Sequence, residues 1–363
     1  MIIKITPFDT LFFRTGRPYT KGEDTWAEVL FPPYPSTLYG AIRSLMIFER
    51  EGLKAFNEGN YSKDIGTPDK EGGLTLKGPF LFKDNELYLK APLDLIEEKN
   101  GKRNELALLQ LEEKSEIFIS DYLPNYLLIH KPLENVVEPS GWLSAIEFED
   151  YLKNKNDKYS QVEDNNLFLY EPKIGIARQK ETLTTKEGHL YRIPLLRLKE
   201  DVSLVAEVDG IDDMPETGIL QLGGESKGAK YEVTEDLLID LRNMEFNFEN
   251  NLFKVYLATP AVFEKGWLPE WVDENSLEGK YNGIKLKLVA CAVGHYIHIG
   301  GWNLVKAKPK PLLKSVPPGS VYYFEIQDDN DKSKIKEAFH LKNLSDINSK
   351  EGFGLSVLGE VKL

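Results

Sequence analysis

The sequence predicts an α+β protein built as two domains. Short β-branched strands recur along the chain with helices set between them, once in each half. A length of 363 residues exceeds one small domain and fits two of ordinary size, each able to bury its own core. The strand-like opening Met1-Ile-Ile-Lys-Ile-Thr-Pro7 is echoed by Phe253-Lys-Val-Tyr-Leu-Ala-Thr-Pro260 after an acidic stretch that ends near Glu249. That echo places the boundary between domains 1–248 and 249–363.

Composition fits a folded, globular chain. Residues are 41% hydrophobic and 28% charged, with 18 Phe, 17 Tyr and 5 Trp to fill two cores. Cys291 is the single cysteine, so no internal disulfide and no CxxC zinc site can form, and a reducing cytoplasm is the expected compartment. The N-terminal residues carry no long apolar segment, and no run of eighteen apolar residues occurs, so neither secretion nor membrane insertion is expected. The net charge of −13 argues against a free-standing binder of nucleic acid, which is usually basic. The charge is segregated, however. Pro172–Lys199 holds Lys173, Arg178, Lys180, Lys186, Arg192, Arg197 and Lys199 against Glu181 and Glu187, and Trp302–Lys314 holds four lysines and no acid. One basic surface on an otherwise acidic protein suits a subunit of an assembly.

Taken in order, Ile2–Thr6 reads as a strand closed by Pro7. Phe8 to Pro18 is aromatic and basic, and its Gly16 and Pro18 favour an ordered loop that must pack on something. Pro35 suits the first position of a helix running to about Glu49. The helical period puts Leu38, Ala41, Ile42 and Leu45 on a core side and Ser36, Gly40 and Arg43 on the other. There Gly40 would let a ligand backbone approach, Arg43 would add charge, and the helix N-terminus would attract phosphate. Equally, Gly40 could serve close packing and Arg43 could be solvated.

Leu74–Leu89 reads as strands around an Asp84-Asn85 turn, while Leu106–Leu111 and Tyr122–Leu128 are ambiguous. Glu147–Asn166 reads as an exposed helix end and loop. Lys173–Arg178 and His189–Leu198 form a hairpin around a long polar connection, Gln179–Gly188, followed by a strand at Leu204–Val208. In the second half, strands are expected at Phe253–Thr259, Lys285–Ala292, Val321–Ile326 and Leu355–Val361, with a helix at Lys332–Phe339. Strands with interspersed helices, twice over, point to ferredoxin-like domains.

Several motifs could carry function. Arg14-Thr-Gly-Arg17 presents two guanidiniums on a glycine turn, able to grip phosphate or to pair with Asp9 or Glu23. The hairpin mixes Lys173, Arg178, Lys180, Lys186, Tyr191 and Arg192 with His189 and an aliphatic tip, Leu183, a blend suited to single-stranded RNA. Leu222-Gly-Gly-Glu-Ser-Lys-Gly228 fails the phosphate-loop pattern because Ala229 follows, so no nucleotide hydrolysis is expected. Gly301 and Trp302, followed by Lys306 and Lys308, join an aromatic to a cationic strip that could stack RNA or dock a subunit. His295, His298 and Cys291 do not have metal-ligand spacing, and no metal or cofactor is expected. His189 or His298 could instead serve a metal-independent ribonuclease.

Phe12-Phe-Arg-Thr-Gly-Arg-Pro18, Pro33 to Arg43, Gly175-Ile-Ala-Arg178 with Glu187 to Tyr191, Leu222-Gly-Gly-Glu225, Gly301-Trp-Asn303 with Lys308-Pro-Lys-Pro311, Val316 to Phe324 and Gly352-Phe-Gly354 occur in an order and spacing that resembles a known family. The chain is similar to the RAMP superfamily of CRISPR-associated proteins, and within it to the third subunit of the type III-B (Cmr) effector complex. The resemblance implies two ferredoxin-like domains of the RNA-recognition type, with insertions in the first and a β-hairpin thumb, Arg178–His189. It implies a non-catalytic subunit that binds the repeat-derived 5′ tag of the guide (CRISPR) RNA. The implied partners are the large polymerase-like subunit and the backbone RAMP subunits, with target RNA met only indirectly and no membrane. By the same resemblance Ser36, Gly40 and Arg43 face the tag, and the C-terminal glycines form a characteristic loop. The alternatives are a guide-processing endoribonuclease of the same superfamily and a protein-interaction module outside CRISPR systems.

Overall fold

The computed structural model describes residues 1–15, 29–67, 70–98, 104–115, 123–131, 135–179, 182, 184–248, 250–303 and 308–362. The protein is mixed α/β and dominated by strands, with few helices. It divides into two compact units that interleave along the chain: Met1–Asp84, Asn165–Thr234 and His298–Leu313 form the first, and Asn85–Asp164, Glu235–Ile297 and Lys314–Leu363 the second. The division expected from the sequence was contiguous; here the stretch between residues 85 and 164 groups with the C-terminal strands.

The first unit holds five antiparallel strands in the order Thr217–Gln221, Gly228–Thr234, Ile2–Pro7, Ser203–Asp209, Thr75–Lys83. Register follows the alternation of the central strand: Ile3 and Ile5 are fully buried, whereas Lys4 and Thr6 point to the opposite face. The helix Pro35–Glu49 packs against the two outer strands and buries Leu38, Tyr39, Ala41, Ile42, Met46 and Ile47, while Leu45 is half-buried. Its start is set by Pro35, which lacks the amide a first-turn residue leaves unbonded. At its C-cap stands Arg50, whose guanidinium reaches Asp64 at 2.5 Å and Asp213 at 2.6 Å.

The strands Thr217–Gln221 and Gly228–Thr234 were not expected from the sequence. Their signal is the alternation Ala229, Tyr231, Val233 against Lys230 and Glu232, which the glycine-rich motif beside them obscured. The hairpin also differs from expectation. Its strands run Phe168–Arg178 and Thr185–Leu198, so the polar connection is shorter and part of it pairs, with a register shift between Ile176 and Arg178.

In the second unit six antiparallel strands take the order Glu278–Tyr281, Ile284–Ala292, Val321–Ile326, Leu252–Leu257, Leu355–Glu360, Lys342–Asn343. The helix Lys332–Phe339 buries Ile335, Ala338 and Phe339, three residues on one face, and Phe339 lies 5.4 Å from the Phe253 ring. A smaller sheet, ordered Lys158–Ser160, Glu105–Leu108, Leu95–Glu98, Val136–Val137, belongs to the same unit. The segment expected to be an exposed helix end contains instead the helix Ala145–Leu152, which buries Phe148, Tyr151 and Leu152, and a strand that buries Tyr159. Its many charged residues hid an apolar face spaced at i, i+3, i+4. Gly352-Phe-Gly354 is packed into this unit: Phe353 is fully buried, and Gly354 has φ +71° with Ser345 too close for any side chain.

Candidate nucleic-acid interface

Three motifs that lie far apart in sequence meet at the base of the hairpin. Leu11 exchanges backbone hydrogen bonds with Leu196 at 2.6 and 2.8 Å, and the Phe12 ring packs on Leu195. The Gly224 amide donates to the Phe12 carbonyl at 2.8 Å, and a side chain at Gly223 would collide with that same carbonyl. The glycines of Leu222-Gly-Gly-Glu225 therefore serve a close approach within the chain. Across this junction Lys173 on the outgoing strand pairs with Glu225 at 3.1 Å. The aromatic loop, the hairpin and the glycine turn form one assembly, with Phe12 and Phe13 buried as the hydrophobicity of their loop required.

Beyond that base the hairpin extends as a two-stranded ribbon. Tyr170 at the base and Ile174 and Ile176 beyond it are exposed, with Ile174 retaining 61% of its surface. Arg192 lies opposite Ile174, and Arg178 opposite Thr185; both arginines are exposed. The backbones of Lys186, His189 and Tyr191 lie in the returning strand, but their side chains fall outside the described residues, as do Lys180 and Leu183 entirely. Arg197, counted in the basic window, is held by Glu171 and, at 2.9 Å, by Asp9. The hydrogen bond from Arg197 is the main cause that keeps the Glu171 carboxyl below its ordinary value.

On the long helix, Ser36 and Gly40 are half-buried, and a side chain built at Gly40 would meet nothing within 4 Å. Among the described residues, nothing packs closely on Gly40. Arg43 is engaged within its own unit: Nε donates to the Ile65 carbonyl at 3.0 Å, Nη2 to Thr67 at 2.5 Å, and the guanidinium stacks 5.0 Å from the Phe56 ring centre. Sequence period placed Arg43 beside Gly40 and could not reveal this loop. Arg14 is exposed and bridges Val29 through its backbone, while Arg17 lies outside the described residues.

Tyr34, just before this helix, donates its hydroxyl to the His298 carbonyl at 2.7 Å, and burial pushes its pKa up to about 12. The bond ties the helix start to the 298–313 segment of the same unit. There Trp302 pairs with Pro309, and Trp302, Gly301 and Lys308 are exposed; Lys306 lies outside the described residues. Sequence reasoning missed Tyr34, whose only signal was a tyrosine placed directly before the helix-starting proline.

The second unit holds a polar cluster of another kind. Asp94, fully buried, accepts hydrogen bonds from Tyr151 at 2.7 Å and Tyr323 at 2.5 Å. Lys254 approaches it to 3.9 Å and sits 3.4 Å from the Tyr151 ring centre, and burial pulls its pKa down to about 8. His340 is buried too, between the Leu241 carbonyl and the Leu358 amide, with burial lowering its pKa. Among the described residues no group of three or more His, Cys, Asp or Glu could hold a metal ion. No described helix is long and apolar enough to cross a membrane.

The model of the family CRISPR-associated protein (Cas_Cmr3) matches residues 3–361. The chain belongs to this family. A curated relative, the CRISPR system CMR subunit Cmr3 of Saccharolobus solfataricus, is 24% identical over 339 residues, covering 90% of this chain and 87% of its own. Among solved structures, a chain of the type III-B Cmr-beta complex bound to cognate target RNA aligns with a TM-score of 0.50 at 19% identity, covering 93% of this chain and 89% of that one. The Cas_Cmr3 family thus spans both units, and the aligned structure shares the strand-rich mixed α/β fold.

Proposed function

We propose that this protein is a subunit of a type III-B CRISPR effector complex that binds the repeat-derived 5′ tag of the guide RNA and bridges the large subunit to the backbone. The observation that carries this reading is the convergence of the aromatic loop, the hairpin and the glycine turn in a chain of the Cas_Cmr3 family. The hairpin acts as the thumb. Its exposed Ile174 and Ile176 contact bases, and Arg178 and Arg192 meet phosphates. Ser36 and Gly40 on the open helix face, with Trp302 and Lys308, extend the surface, whereas Arg43 shapes it through the 65–67 loop. The partners are the guide RNA and the other subunits, with target RNA met through the guide, and the compartment is the cytoplasm. Family membership favours this binding role over a guide-processing endoribonuclease.

The reading includes two ferredoxin-like domains, 1–248 and 249–363. Strand order supports it. Numbering the four main strands of each half along the chain, both sheets run 4-1-3-2: Gly228–Thr234, Ile2–Pro7, Ser203–Asp209, Thr75–Lys83, and Leu355–Glu360, Leu252–Leu257, Val321–Ile326, Ile284–Ala292. That is the order a β-α-β-β-α-β chain produces.

The test is charge reversal on the thumb. In a reconstituted complex, Arg178→Glu with Arg192→Glu should strip the guide RNA while leaving the chain folded, since both side chains are exposed. Full retention of guide RNA by this double variant would refute the assignment. Arg43→Glu is a poor substitute because it would also break two hydrogen bonds to the chain's own carbonyls.

A further inference from the structure

We propose that a second nucleotide-binding groove lies on the open face of the first unit's sheet, where Phe8 stacks a base and Lys4 and Lys199 hold its phosphate. The proposal rests on the RNA-binding reading above and adds a site that the motifs did not indicate.

The groove has a volume of about 730 Å³ and runs from the end of the Ile2–Pro7 strand to the root of the hairpin. Lys4 and Thr6 form its floor on the face opposite the buried Ile3 and Ile5. Its walls include Phe8, Lys83, Leu169 and Lys199. Phe8 keeps 62% of its surface exposed. Its ring is nevertheless placed by the fold: the Phe8 amide donates to the Gly228 carbonyl at 3.1 Å, and a side chain at Gly228 would press on the ring at 3.1 Å. A large aromatic held in position and left in solvent is a stacking platform without its partner.

Charge selects the occupant. Of the acids near the groove, Asp9 is engaged by Arg197 and Lys227, and Glu232 by Lys230. Among the described residues Lys4 and Lys199 have no carboxylate partner, Lys4 lying 5.5 Å from the Phe82 ring centre, whereas Lys83 already reaches the Asn166 carbonyl at 3.4 Å. Glu200 and Asp201 also line the groove and limit it to one or two phosphates rather than a long polyanion. A planar aromatic beside a small number of cations matches a short single-stranded RNA segment. Leu169 and Arg197 belong to the two hairpin strands, so RNA lying along the thumb reaches Phe8 without leaving the surface.

The experiment is ultraviolet crosslinking of the natively purified ribonucleoprotein, followed by mass spectrometry of the tryptic peptide at residues 5–14, which carries Phe8. A nucleotide adduct on that peptide is the expected result. In parallel, Phe8→Ala in the full chain should weaken binding of a labelled single-stranded RNA of repeat sequence about tenfold. Lys4→Gln with Lys199→Gln should weaken it further at low salt than at high salt. Adducts on the hairpin peptides with none on 5–14, and unchanged affinity for Phe8→Ala, would overturn the groove while leaving the thumb assignment intact. Crosslinks from Lys4 or Lys199 to another subunit, without a nucleotide adduct, would assign the groove to a protein and also overturn it. A particle free of RNA would remove the RNA-binding reading itself.

Discussion

The two main sheets begin with nearly the same strand, and the third residue of each strand is a lysine: Ile2-Ile-Lys4-Ile in the first unit, Leu252-Phe-Lys254-Val in the second. Their surroundings differ completely. Lys4 is half-buried, lies 5.5 Å from the Phe82 ring centre and borders an open groove. Lys254 keeps 1% of its surface, lies over Tyr151 and approaches a buried aspartate. One strand pattern thus serves a surface in the first case and a core in the second. What separates them is the layer on the far side of the sheet. In the second unit Tyr151 and Asp94 close over the lysine, with Tyr323 beside it on the neighbouring strand; in the first, that face carries an open groove among the described residues.

The largest expected effect belongs to Asp94. Asp94→Ala would leave Lys254 buried without its counter-charge and two tyrosine hydroxyls unpaired, and is expected to cost about 3–5 kcal/mol in urea unfolding. A loss below about 1 kcal/mol would show that the cluster is not closed to water. The next effect is a pH dependence. Lys254 releases its proton at about 8 in the folded chain against 10.5 for a free lysine, so the unfolded chain binds more protons between those values. Stability therefore rises with pH across that window, by up to about 3 kcal/mol from this group. Lys254→Met should remove that rise, and Lys4→Met should preserve it, when both are followed by denaturant unfolding at several pH values.

Gly359→Ala probes how tightly the lysine is enclosed. A side chain there would meet Lys254 Cγ and Cε at 2.9 Å and the Leu152 carbonyl at 3.2 Å, so a loss of about 1–3 kcal/mol is expected. The smallest effect belongs to the first unit. Glu225→Ala removes an exposed partner of Lys173 and should change stability by less than about 1 kcal/mol. Its consequence should appear instead as increased protease sensitivity of the hairpin, because the pair joins the glycine turn to the outgoing strand.

Local rules made much of the fold legible. Proline at the first helical position marked Pro35–Glu49, and the helix expected at Lys332–Phe339 is also as observed. Val321–Ile326 was legible because its apolar run is bounded by Pro317-Pro-Gly-Ser320 and by Asp328. Where polar residues were dense, legibility failed. Tyr159 and Phe148 sit among charged neighbours yet are buried, and Gly228–Thr234 follows a glycine turn that drew attention from its alternation. Of the candidate site, the hairpin and Trp302 were legible as exposed basic and aromatic segments. The engagement of Arg43 by the 65–67 loop was not, since a side chain's partner lies beyond any local period.

By itself the sequence determined the mixed α/β character, the helices Pro35–Glu49 and Lys332–Phe339, several main strands and the basic hairpin, because these depend on residues a few positions apart, and motifs spread along the chain carried the family resemblance. Tertiary structure alone decided which of two equivalent lysines is buried, that Gly223 and Gly224 fit against Phe12, and that Phe8 stands exposed over Gly228. Burial and ion pairing depend on what the chain folds against, and those neighbours arrive from segments tens or hundreds of residues away.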